Sequence, residues 1–151
     1  MGSRLKESLH KQCMEIVSKK IDTLKDAIHS ASNAAKDEEK SSAGDKYETG
    51  RAMMHLELSK YHTQLEQAAK EKRVLDSINC TESPKQIGLG SVVKSTHGNY
   101  YLAVAVGSLD FEGATFITIS PASPIGQLLM GLKVGDTFTF RLQSYTIGKV
   151  Y

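Results

Sequence analysis

The stretch Lys40-Ser41-Ser42-Ala43-Gly44 decides the reading of the first half of the chain, because small and polar residues here interrupt two runs of helical periodicity. Upstream, Val17, Ile21, Leu24, Ile28, Ala31 and Ala35 are spaced 4, 3, 4, 3, 4, which is a heptad seam. Leu5, Leu9 and Cys13 extend it backwards at a spacing of four. Downstream, Met54, Leu58, Tyr61, Leu65, Ala68 and Leu75 repeat the rhythm, with Lys72 in the remaining seam position. So short a break forces the two helices back on each other. The spacing predicts an antiparallel coiled-coil hairpin over residues 1–80 with its tip near 40–48. Each arm, about 33 to 36 residues, would be roughly 50 Å long. Such a rod buries one stripe per helix and builds no pocket, but its tip fits a narrow space.

Outward from the hairpin, the Asn79–Pro84 segment carries Asn, Thr, Ser and Pro, and Pro84 disfavours helix before it. A linker is therefore placed at 81–84. Residues 1–84 hold 14 of the 19 basic and 14 of the 17 acidic residues, whereas 85–151 are β-branched, aromatic and glycine-rich, so a second architecture begins there. Ser91–Ser95 and Tyr100–Val106 read as strands around the turn Thr96-His97-Gly98-Asn99. Thr115–Ile119, Thr137–Leu142 and Tyr145–Val150 read as further strands. Between them Ser123 is a good N-cap, Pro124 suits the first helical position and Gly131 suits the stop. The fold class expected is α+β: a helical hairpin, then a small antiparallel β domain over 85–151 with one short helix.

The longest uninterrupted apolar run, Tyr100–Val106, is far shorter than the roughly 20 residues of a membrane-spanning helix. A net charge of +2 over 151 residues argues against holding nucleic acid through overall charge, so any phosphate contact must be local. Cys13 and Cys80 form neither a disulfide framework nor a metal pattern, and no secretory apolar run follows Met1, so the expected location is the cytoplasm.

Two carboxylates stand out at the tip. In Gly44-Asp45-Lys46-Tyr47-Glu48, a helix starting at Asp45 would put Asp45 and Glu48 one turn apart, with β-carbons about 5–6 Å from each other. Such a pair can share a divalent cation held only partly by protein. The same spacing is that of a capping box, and acids favour helix N-termini electrostatically. Asp37-Glu38-Glu39 adds carboxylates nearby. Lys36, Lys40, Lys46 and Arg51 could meet phosphates with Tyr47 stacking on a base, or form ordinary helix surface. The five histidines are scattered, and neither a P-loop nor a nucleophile elbow occurs, so no autonomous active site is visible.

Taken together, a hairpin tipped by Gly-Asp-x-x-Glu and a β-rich domain carrying Ile119-Ser120-Pro121-Ala122-Ser123-Pro124-Ile125-Gly126-Gln127-Leu128-Leu129-Met130-Gly131 and then Gly135-Asp136 resembles the bacterial Gre transcript cleavage factors. The resemblance spans nearly the whole chain and implies an FKBP-like second domain. It also implies docking of that domain, through Ser123 and Pro124, at the rim of the RNA polymerase secondary channel. The coiled-coil tip would then reach the polymerase active site, where Asp45 and Glu48 help hold a Mg2+ shared with polymerase. The resemblance further implies that the polymerase hydrolyses the backtracked nascent RNA and that this chain is a cofactor, not itself an enzyme. Lys46, Tyr47 and Arg51 are the candidate RNA contacts. Two other readings stay open: a non-cleaving channel binder that inhibits or tunes transcription, and a coiled-coil adaptor for a protein partner.

Overall fold

The computed structural model describes the backbone of residues 2–40 and 45–151 and the side chains of residues 2–37 and 50–151. Two long helices, α1 (Gly2–Lys40) and α2 (Asp45–Asp76), pack as a hairpin. They precede β1 (Val92–Ser95), β2 (Gly98–Leu102), β3 (Ser108–Phe111), β4 (Ala114–Ile119), α3 (Pro124–Leu129), β5 (Thr137–Phe140) and β6 (Gln143–Val150). By internal packing the chain forms two compact units, Val17–Lys72 and Met1–Ile16 with Arg73–Tyr151. Among the described residues, no helix is long and apolar enough to cross a membrane.

Within Val17–Lys72 the heptad positions form the seam. Val17, Leu24 and Ala68 are buried, and Ile21, Ile28, Ala31, Ala35, Met54, Leu58, Tyr61 and Leu65 are half-buried. One position differs from the sequence reading. Lys72 is exposed, and the residue that turns inward is Glu71, only 8% exposed. The step from Ala68 to Leu75 is taken as three then four residues instead of four then three. Lys20 reaches Glu71 with its Nζ 3.4 Å from the carboxylate, so the inward charge is paired, as burial of a carboxylate demands.

The other unit is built around a six-stranded sheet in the order β3-β4-β2-β1-β6-β5. Neighbours run antiparallel except β2 and β4, which pair in parallel with Tyr100 opposite Ile117, so the sheet is mixed and not wholly antiparallel. The cause is β3, four residues too short to announce themselves in the sequence. The strand expected to run on to Val106 stops at Leu102, and β3 takes the outer edge. It turns back through Glu112 and Gly113, both at positive φ, which is the two-residue turn that matches strand twist. That turn delivers β4 beside β2 and in its direction.

Both faces of this sheet are covered. Val92 and Val93 are fully buried, as are Tyr101 and Leu102, although successive strand residues point to opposite faces. Val93, Tyr100, Leu102, Ile119, Leu129, Phe138 and Ile147 form the core on the side of α3. On the other side the first turns of α1 contribute Leu5, Leu9 and Cys13, all buried. Here Gln12 Nε2 donates to the Asp110 carbonyl at 3.1 Å, and the Lys6 ammonium donates to the Glu82 carbonyl at 2.5 Å. Burial pushes the Cys13 thiol pKa up to about 12, which leaves it an inert core group.

His10 is expected to make this packing pH-sensitive. Its Nδ1 lies 3.3 Å from the Tyr101 hydroxyl, and burial lowers its pKa, with the Asp76 carboxylate opposing the shift. A folded-state pKa below the ordinary 6.5 means that the unfolded chain binds the proton more readily. Stability is therefore expected to be full above pH 6.5 and to fall as pH drops through the folded value, as read by denaturant unfolding at a series of pH values. His10→Gln should flatten that slope; an unchanged slope would assign it to other groups.

Candidate functional site

The tip end of the hairpin starts with the first turn of α2. The helix begins at Asp45, so Asp45 and Glu48 occupy its first turn, three residues apart on the backbone. The side chains of Asp45, Lys46, Tyr47 and Glu48 lie outside the described residues, as do those of Glu38, Glu39 and Lys40. Helix N-termini favour negative charge, because their first backbone N–H groups lack intrahelical partners. Two carboxylates there are hard oxygen donors, the type Mg2+ prefers. They fill only part of an octahedral shell, so such an ion needs a second set of ligands. Among the described residues no group of three or more His, Cys, Asp or Glu side chains is placed to hold a metal.

Arg51 follows on α2, exposed, with its Nε donating to His55 Nε2 at 3.4 Å one turn along. Among the described residues this is the contact that the guanidinium makes, and its fork of donors is of a kind suited to phosphate.

A second feature lies in the sheet unit, at the start of α3. Ser123 has extended backbone (φ −67°, ψ 159°), and its Oγ accepts from Gly126 N at 3.1 Å, the N-cap read from the sequence. The same hydroxyl donates to the Ser120 carbonyl at 2.6 Å, which also receives Ser123 N at 3.0 Å. Ser120 Oγ in turn accepts from Ala122 N at 3.2 Å, and Gln127 Nε2 donates to the Ala122 carbonyl at 3.1 Å. The Ser120–Ser123 turn is thus tied to itself and to α3. Ser123 spends its hydroxyl inside the turn, while Pro124 is exposed. Ser123 builds the feature and Pro124 presents it.

Sequence reading missed Gly126. It is buried, and a β-carbon there would overlap the Ser120 carbonyl and lie 3.0 Å from Pro121 Cα, so only glycine lets α3 sit this close to the turn. Its place three residues after an N-cap serine is the one sequence signal that could have flagged it. Ser123→Ala is expected to lower the stability of this unit by about 1 kcal/mol, measured by denaturant unfolding, because Gly126 N loses its cap. A variant as stable as the parent would show that water replaces the hydroxyl.

The sheet unit that carries this turn also matches a known family in sequence. Residues 82–150 match the model of the family described as transcription elongation factor, GreA/GreB, C-terminal domain. No curated protein matches the chain. Among solved structures, one described as the structure of the transcription factor Gfh1 is similar over 91% of this chain and 92% of that chain, at 19% identity and a TM-score of 0.37.

Proposed function

We propose that this chain, whose residues 82–150 match the model of the GreA/GreB C-terminal domain, binds bacterial RNA polymerase and stimulates the polymerase's own cleavage of backtracked RNA. The family match of the sheet unit carries this reading, and the acidic first turn of α2 supplies its chemistry. The exposed Pro124, on the turn built by Ser123, docks the chain on the polymerase. Asp45 and Glu48 enter the polymerase active site and hold a Mg2+ together with polymerase ligands. That ion supplies charge stabilisation for the oxygens of the phosphodiester under attack. Lys46 and Arg51 meet RNA phosphates and Tyr47 stacks on a base. The protein works only through polymerase and in its compartment, the bacterial cytoplasm.

A stalled, backtracked elongation complex incubated with the chain and Mg2+ is the test. Faster release of short 3′ RNA fragments than from polymerase alone is the expected result. Binding without acceleration would make the chain a non-cleaving channel binder, and absence of binding would leave the adaptor reading.

A further inference from the structure

We infer that the docking face continues from Pro124 along α3 into a lysine-flanked groove, and that it receives an acidic, amphipathic segment of the polymerase. The inference rests on the docking reading above and names the chemistry of the partner surface.

The helix α3 has two sides. Gly126 and Leu129 face the core, while Pro124 and Leu128, four residues and so one turn apart, point outward. Leu128 is 40% exposed, Met130 42% and Val134 59%, three large apolar side chains close in sequence that the sheet unit leaves uncovered. The groove follows at once. It is lined by Lys85, Ile87 and Lys133. Ile87 N donates to the Leu132 carbonyl at 2.9 Å and Gly131 N to the Ile87 carbonyl at 2.8 Å, which pins the groove wall against the end of α3.

The charge around it is one-sided. Lys85 and Lys133 are both exposed, and among the described residues neither ammonium has a carboxylate partner. Asp136, the acid next in the loop, is engaged instead with Lys133 backbone N at 2.8 Å. Two cations with no carboxylate partner among the described residues, in a groove tied to the end of α3 where apolar side chains are exposed, complement a segment that is acidic on one side and apolar on the other. Nucleic acid would reward the lysines but gain nothing from Leu128, Met130 and Val134, so a protein surface is the better fit.

The measurement is equilibrium binding of the full chain to RNA polymerase at several salt concentrations. Lys85→Glu with Lys133→Glu should weaken binding by about tenfold or more and reduce its salt dependence. Leu128→Ser should weaken it at all salt concentrations. Both variants alter exposed side chains, so unchanged thermal unfolding serves as the control. Wild-type affinity in both variants would overturn this inference while the docking reading stands. A parent chain that does not bind polymerase would overturn both. Loss of duplex DNA retention by the free double variant, with polymerase affinity unchanged, would reassign the groove to nucleic acid and also overturn it.

Discussion

Asp45→Ala and Glu48→Ala are each expected to cut stimulated release of 3′ RNA fragments severely while leaving polymerase binding intact. The size of the effect follows from the task assigned to the pair. A metal clamp on transferring oxygens is worth several kcal/mol, and at about 1.4 kcal/mol per tenfold the loss is roughly two orders of magnitude in rate. In the proposed site the pair would be the minor share of the ion's ligands, so the remaining activity should also need more Mg2+ than the parent does.

The first turn of a helix raises a rival explanation, in which alanine merely frays α2 by removing a cap worth about 1 kcal/mol. Asp45→Asn separates the two. Asparagine caps as well as aspartate but carries no charge. Full cleavage by the asparagine variant would reduce Asp45 to a capping residue and remove it from the chemistry.

The second large effect is expected at Gly126→Ala. The added methyl group meets the Ser120 carbonyl, Ser123 Oγ at 2.9 Å and Pro121 Cα at 3.0 Å, two of the three being backbone that cannot swing aside. Overpacking of this kind costs about 1–3 kcal/mol, and relieving it by moving α3 would break the Ser123 cap as well. A fall in melting temperature of roughly 10 °C or more is expected for a domain of this size. On the docking role proposed for Pro124, polymerase affinity should fall with it, since Pro124 is carried by the displaced turn. A variant that melts with the parent would mean that the turn relaxes without cost, and the account of Gly126 would be wrong.

The hairpin was legible in the sequence because helical periodicity is local. Residues three and four apart share a face whatever the rest of the chain does, so Val17, Leu24 and Ala68 could be named as seam residues and are buried. The exchange of Lys72 for Glu71 was not legible, because both positions satisfy a heptad step. The choice depends on whether a cation on the opposite helix can reach inward, and Lys20 does so for Glu71. The Ser123 cap and the Pro124 start were also local signals, and both stand as read.

The strand content was readable for the same reason, but pairing was not. Nothing within Ser108–Phe111 says that this segment takes the sheet edge and turns β4 parallel to β2, because that outcome is set by contacts between residues far apart in the chain. The same holds for Gly126, whose need for a missing β-carbon exists only once the Ser120 carbonyl is folded over it. The chain by itself therefore determined a helical hairpin, a β-rich second half and the Ser-Pro motif joined to an acidic tip. Only the tertiary structure decided which charge lies in the seam, which strands are neighbours, and which of Ser123 and Pro124 faces outward. The physical reason is that periodicity and capping act within a turn of the backbone, whereas register, close approach and exposure arise where distant segments meet.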